Sequence, residues 1–173
     1  MDHSIIKKAI RNIPDYPKPG IQFKDITPIL QDPLLYSQVI DIFFEQYRSE
    51  KIDVVVGIES RGFIFAGPLA LKLNCGFAIA RKQGKLPYET VSAEYSLEYG
   101  LDTLELHIDA IKTGKRVLIL DDLLATGGTA KATGKLVRKL KGDVVSFAFF
   151  IKLNNLRGEE LLKPKKVYYI VEF

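Results

Sequence analysis

The chain has 173 residues, 47% of them hydrophobic and 27% charged, with a formal net charge of +4. That profile fits a globular protein of about one ordinary domain, able to bury roughly two-thirds of its unfolded surface without a staple. An internal disulfide is excluded because Cys75 stands alone, and a membrane span because no apolar run nears roughly 18 residues.

The lone cysteine fits a reducing, cytoplasmic compartment. Lysine and arginine are spread along the chain without a long basic block, so nucleic acid is not an expected partner. Near the N-terminus Lys7, Lys8 and Arg11 interleave with Ile5, Ile6 and Ile10. This predicts an amphipathic helix, not a signal peptide, whose charges precede a continuous apolar core. Residues 13–30 carry Pro14, Pro17, Pro19, Gly20 and Pro28 and are expected to be rich in loop. Asp32-Pro33 then offers an N-cap with proline in the first turn. Leu35, Val39, Ile42, Phe43 and Tyr47 share one face of the helix that follows.

Strands are expected at residues 52–56, 77–80, 116–120, 144–151 and 167–173. Most are apolar almost throughout, as strands buried on both faces of a parallel sheet are. A second helix is expected from about Ala130, with Ala132, Leu136, Val137 and Leu140 on its inner face and Gly142 closing it. Strands alternating with helices, and no repeat or linker, point to a single α/β domain over residues 1–173 with right-handed crossovers. Residues 81–108 break the rhythm: Val91, Ala93, Tyr95, Leu97 and Tyr99 alternate with Ser92, Glu94, Ser96 and Glu98. The pattern predicts a two-faced, hairpin-like excursion and not a core strand, and such excursions in α/β proteins usually carry function.

The segment richest in chemistry is Val117-Leu-Ile-Leu-Asp-Asp-Leu-Leu-Ala-Thr-Gly-Gly-Thr129. An apolar strand ends in two adjacent carboxylates, followed by a turn of small residues and a helix. The turn Ala125-Thr-Gly-Gly-Thr129 presents bare N–H groups and two hydroxyls at a helix N-terminus, which suits a phosphate. Gly127 and Gly128 are expected to allow close approach and positive φ. Asp121 and Asp122 would repel that phosphate, so their better partner is a vicinal diol, whose hydroxyls donate to a carboxylate. Phosphate and diol one sugar apart describe a ribose 5-phosphate. No lysine follows the glycines, so this is not a Walker loop.

Asp121-Asp-Leu-Leu-Ala-Thr-Gly-Gly-Thr129 resembles the phosphoribosyl diphosphate (PRPP) motif of the type I phosphoribosyltransferases, in the wording of the branch that acts on adenine. Four further segments match that family in order and spacing: Pro17-Lys-Pro-Gly-Ile-Gln-Phe-Lys-Asp-Ile-Thr-Pro28, Gly57-Ile-Glu-Ser-Arg-Gly-Phe63, Arg81-Lys-Gln-Gly-Lys-Leu-Pro87 and Tyr95-Ser-Leu-Glu-Tyr-Gly100. The resemblance implies a central, mostly parallel twisted sheet flanked by helices, with a mobile hairpin and a small N-terminal hood. It implies that Asp121, Asp122, Ala125, Thr126, Gly127, Gly128 and Thr129 hold the ribose phosphate. Glu59, Ser60 and Arg61 would form the diphosphate loop around a cis Glu59–Ser60 peptide. Arg81, Lys82 and Lys85 would form its basic rim, one of them reaching a neighbouring subunit's site.

By the same resemblance adenine stacks on Phe23 with Leu123 on its other side, while backbone groups around Gln22–Lys24 read the edge of the base. Lys24 departs from the family's frequent arginine. Glu98 would move the proton at adenine N7. The implied reaction transfers phosphoribosyl from PRPP to adenine in a homodimer, with Mg²⁺ carried by PRPP and water and no direct protein ligand to it. His3 and His107 show no metal spacing. A transferase for 6-oxopurines (hypoxanthine, guanine, xanthine) and a non-catalytic PRPP-sensing regulator are the alternatives. The Phe23 segment and the Glu98 hairpin speak against the first, and the lack of residues for a DNA-binding domain ahead of the first site loop speaks against the second.

Overall fold

A computed structural model describes residues 3–96 and 101–173 of the chain. Helix α1 (Ser4–Ala9) leads into a short antiparallel hairpin, β1 (Arg11–Pro14) and β2 (Gln22–Asp25). Helices α2 (Thr27–Gln31) and α3 (Pro33–Tyr47) follow, then β3 (Val54–Ile58), α4 (Gly62–Leu73) and β4 (Gly76–Lys82). Strands β5 (Thr90–Ser96) and β6 (Leu101–His107) precede β7 (Arg116–Leu124), α5 (Gly128–Lys139), β8 (Asp143–Lys152) and β9 (Lys166–Glu172).

The seven-stranded sheet runs in the order β5-β6-β4-β3-β7-β8-β9. Its members from β4 to β9 pair in parallel, and β5 and β6 complete it in antiparallel. The apolar strands alternate between two cores. Val55, Leu118, Leu120 and Phe150 face α3 and α4, while Val56, Ile58, Ile119 and Phe149 face α5. That two-sided burial is why β3, β7 and β8 lack a polar face. Helix α3 is capped as expected: the Asp32 carboxylate accepts from Leu34 N at 2.9 Å and Leu35 N at 3.1 Å. Its buried face is Val39, Ile40, Ile42, Phe43 and Tyr47, and the Tyr47 hydroxyl lies 3.0 Å from buried Ser146 Oγ.

Several expectations are corrected. The strand expected at 116–120 runs on to Leu124, because its pairing with β8 continues to Leu124↔Lys152, so Asp121 and Asp122 lie inside it. Residues 13–30 are more ordered than their prolines suggest, because β1 and β2 pair from Arg11↔Asp25 to Pro14↔Gln22 around a cis Tyr16–Pro17 peptide. The strand expected at 52–56 lies two residues later, since its pairing with β7 starts at Val54. Helix α5 opens at Gly128, with Gly127 (φ 82°) before it, so positive φ falls on Gly127 alone of that pair. It is Lys141, at φ 62°, that turns the chain after α5, and not Gly142. The excursion at 81–108 does form a hairpin, with Val91, Ala93 and Tyr95 inward and Ser92 and Glu94 outward. It is not separate from the core, however, because β6 adds to the central sheet through Arg81↔Glu105 and Lys82↔Leu104.

Candidate active site

After β3 the chain crosses to β4 on one side, and after the hairpin it returns to β7 on the other. The carboxyl ends of β3 and β7 therefore diverge at the point where the strand order reverses, which is where open α/β sheets bind ligands. The turn Glu59–Arg61 leaves β3 there, and Ala125–Thr129 leaves β7, whose last four residues open with Asp121 and Asp122. They lie close: a Cβ on Gly62 would stand 2.9 Å from both Asp121 Oδ1 and the Leu120 carbonyl oxygen, so only glycine lets α4 start against β7.

Asp122 is 5% exposed, and its Oδ2 lies 2.7 Å from Arg61 Nη2. This is an ion pair whose angles miss those of a hydrogen bond, so Oδ2 is buried without one. The Asp122 N–H donates to Asp121 Oδ1 at 2.8 Å. Burial, and then the neighbouring Asp122 charge, push the Asp121 carboxyl well above its ordinary value. Burial also raises Asp122, with Arg61 pulling it back. Two adjacent carboxylates short of donors are suited to receive hydroxyls. Beyond them Asp121, Leu123, Ala125, Thr126, Thr129 and Phe149 line a hollow of about 60 Å³ at the head of α5.

Arg61 joins the loop to the hood. Its guanidinium sits 5.0 Å over the Phe23 ring, and Nη1 donates to the Lys24 carbonyl at 3.4 Å. Phe23 is half-buried in β2, with Tyr16 edge-on at 5.3 Å. Gln22 is turned to solvent and accepts from Asn12 Nδ2 at 2.7 Å. The Lys24 ammonium lies over the Phe173 ring at 4.2 Å, and burial together with Lys7 lowers its pKa.

The Glu59–Ser60 peptide is cis, as the resemblance implied. Ser60 is exposed beside it. The Glu59 side chain gathers the basic rim: it accepts from Lys82 N at 2.8 Å and pairs with Arg81 Nε at 3.4 Å and with Lys85 Nζ. Burial pushes its carboxyl up, but Lys85, the Lys82 amide and Arg81 together bring it below the usual value. Lys82 Nζ pairs with Asp102 Oδ2 at 2.9 Å. All three rim cations thus have partners within this chain. Glu98, with the rest of residues 97–100, lies outside the described residues.

Sequence reasoning missed three neighbours of these groups. Asp102 sits opposite Tyr95 in the hairpin register and accepts from its hydroxyl at 3.0 Å; burial, and then Asp102, push that phenol up to about 12. Glu105 is 8% exposed and accepts from Gly84 N at 3.0 Å, bracing the rim loop. Gly158, far along the chain, abuts the Ala125–Thr129 turn. The strict alternation of the hairpin could have singled out Asp102 once its register was known; Gly158 carries no local signature.

Residues 25–172 match the family model of the phosphoribosyl transferase domain. A sheet of this topology, with a carboxylate pair and a small-residue turn at its switch point, places the chain among the phosphoribosyltransferases. A relative from Brachyspira hyodysenteriae, named adenine phosphoribosyltransferase, is 55% identical over 168 residues, covering 97% of this chain and 99% of its own. The crystal structure of the adenine phosphoribosyltransferase from Thermoanaerobacter pseudethanolicus superposes with a TM-score of 0.97 at 47% identity, over 99% of this chain and 100% of that one. The enzyme of that name from Saccharomyces cerevisiae, complexed with an imino-altritol bisphosphate and adenine, gives a TM-score of 0.90 at 42% identity over 95% of both chains. The chain belongs to the adenine phosphoribosyltransferases, enzymes that convert adenine and PRPP to AMP and diphosphate. Neither the 6-oxopurine reading nor the regulator reading finds support among these relatives.

The raised carboxylates carry a stability consequence. A carboxyl whose folded pKa exceeds its unfolded one burdens the fold fully above the folded pKa, and the burden fades as pH falls to the unfolded value near 4. Asp121→Asn should therefore melt above the parent at pH 7 by about 2–4 °C for each 1 kcal/mol relieved. The gap should close as pH is lowered toward about 4, while AMP binding weakens. Thermal melts from pH 4 to 8 check this, and a variant that melts below the parent at pH 7 counts against it.

Proposed function

We propose that Asp121 and Asp122 hold the ribose hydroxyls, Ala125–Thr129 the 5-phosphate, and Glu59–Arg61 with Arg81, Lys82 and Lys85 the diphosphate, while Phe23 and Leu123 sandwich adenine. The observation that carries this reading is the continuity of the carboxylate pair and the helix-head turn at the end of β7, with Arg61 bridging Asp122 to the Phe23 ring.

In this reading N9 of adenine bonds to the anomeric carbon as the bond to the diphosphate oxygen breaks, through an oxocarbenium-like state. The backbone N–H groups of the Glu59–Arg61 turn and the rim cations stabilise the charge that the leaving oxygens gain. Bonding at N9 makes the purine cationic until the N7 proton leaves, and Glu98 takes it. Adenine offers an N6 donor beside an N1 acceptor and hypoxanthine the reverse, so backbone groups around Phe23 matched to one leave the other unpaired. Among the described residues no three His, Cys, Asp or Glu side chains gather into a metal cage. In this reading Mg²⁺ is carried by PRPP oxygens and water, with no direct protein ligand. When bound, the ion neutralises the leaving diphosphate. The lone Cys75 supports a reducing, cytoplasmic setting.

The enzyme is a homodimer in this reading. Phe77 is 43% and Leu71 84% exposed on neighbouring elements, with half-buried Phe63 edge-on to Phe77 at 6.4 Å. A second copy covering this face accounts for so much apolar surface. Sedimentation at assay concentration is expected to give twice 19.5 kDa; full activity in a 19.5 kDa monomer contradicts it.

Two variants test the chemistry. Glu98→Leu should lose about 10²–10⁴-fold in kcat with PRPP affinity unchanged; if it keeps full turnover while Glu94→Leu loses it, the proton belongs to the other carboxylate. Phe23→Ala should mainly raise the adenine KM, stacking being worth about 0.5–1.5 kcal/mol beyond burial. An unchanged KM with collapsed kcat would instead make Phe23 part of the chemical step.

A further inference from the structure

Strands β7 and β8 end together at the Leu124↔Lys152 pair, and both chains then turn off the sheet. β7 enters the Ala125–Thr129 turn. β8 passes through Leu153, whose N–H donates to the Leu124 carbonyl at 3.0 Å, into the two 3₁₀ turns Asn154–Leu156 and Gly158–Leu162. The two excursions meet glycine to glycine. A Cβ on Gly158 would overlap the Ala125 carbonyl oxygen and stand 2.9 Å from Gly127 N and 3.0 Å from Leu124 Cδ1. In return, a Cβ on Gly127 would stand 2.5 Å from the Gly158 carbonyl oxygen. Backbone therefore rests on backbone with no room for a side chain between.

The Gly158 side of this contact is anchored. Leu162 is 4% exposed, in the core that also holds Leu124 and Phe149. Glu159 pairs with Lys152 at 2.7 Å, directly after Gly158. The Glu160 N–H donates to the Arg157 carbonyl at 3.1 Å. The Gly127 side is held at its two ends, by buried Leu124 and Ala130 of the same core, while between them Thr126 is exposed and Ala125 half-buried, so the middle of the turn carries no side-chain anchor.

We infer that Gly158 is a positioning residue for the transfer reaction: the turn at 157–162 is a backstop that sets the shape of the phosphate-holding turn before the anion arrives. The inference rests on the reading of Ala125–Thr129 as the 5-phosphate site. Converging N–H donors bind an anion well only when they are already in place, and Gly127 N is one of the atoms that a side chain at 158 displaces. Gly158 is not among the residues at positive φ, so alanine there is opposed by space and not by backbone strain.

Calorimetry with AMP and with adenosine, which lacks the phosphate, separates the outcomes. Gly158→Ala is expected to bind AMP about tenfold or more weakly, the scale of loss from a small misplacement of a binding group, while adenosine affinity stays at the parent value. Gly127→Val, which strains the turn itself, serves as the reference and is expected to lose AMP. If Gly158→Ala binds AMP like the parent while Gly127→Val has lost it, the backstop is overturned and the phosphate assignment survives. If both bind AMP like the parent, the phosphate assignment falls and takes the inference with it. Should Gly158→Ala fail to fold, Glu159→Ala frees the same turn from Lys152 without adding an atom. It is expected to weaken AMP and not adenosine, and equal loss of both, or of neither, overturns the proposal.

Discussion

Two adjacent carboxylates, Asp122 buried and Asp121 half-buried, sit near the end of one strand with Arg61 as the guanidinium that answers them among the described residues, and much of the architecture follows from that constraint. Among the described residues neither Asp121 nor Asp122 reaches enough donors to make ionisation comfortable, and burial raises both. Arg61 comes from the neighbouring strand because β3 and β7 pair in parallel, with Gly57 opposite Leu120, so their loops emerge side by side. Gly62 removes the side chain that would hold those loops apart. A site so arranged carries a stability cost for as long as its carboxylates lack donors, the kind of strain that binding sites commonly hold.

One cation ties the parts together. Arg61 touches Asp122, the face of Phe23 and the carbonyl of Lys24, so the groups assigned to sugar, base and diphosphate share a side chain. The hood is held from the other side by the C-terminal ring: Lys7 and Lys24 lie 4.8 and 4.2 Å over Phe173. Glu59 performs a similar service for the rim, drawing Arg81, Lys85 and the Lys82 amide to one carboxylate. The cations are thus already gathered, and Glu59 offsets part of the repulsion between them.

Local pattern made most of the elements legible. The apolar runs at β3, β7 and β8 can only be strands with both faces covered, and the Asp32-Pro33 pair marks the start of α3 as clearly as its capping bonds do. The errors have physical causes as well. Proline density hid the β1–β2 hairpin, whose prolines sit in its turn and at its edge, where the missing N–H groups are not needed. Gly142 drew attention as a helix terminator, yet lysine adopts the left-handed conformation one residue earlier.

The chain order of residues by itself determined that a buried strand runs into the carboxylates Asp121 and Asp122 and that a helix opens on small residues after it, because both facts depend on neighbours within a dozen positions; that the strand continues through the carboxylates to Leu124 came from its pairing with β8. It also carried the motifs that set the family. Only the tertiary structure decided that Arg61 answers Asp122, that Glu59 collects the basic rim, that Asp102 takes Lys82 and Tyr95 together, and that Gly158 supports Gly127. These partners lie from a few to some sixty residues apart, and what joins them is strand order and register. Periodicity reports which face of an element is buried; it is silent on which distant element covers that face.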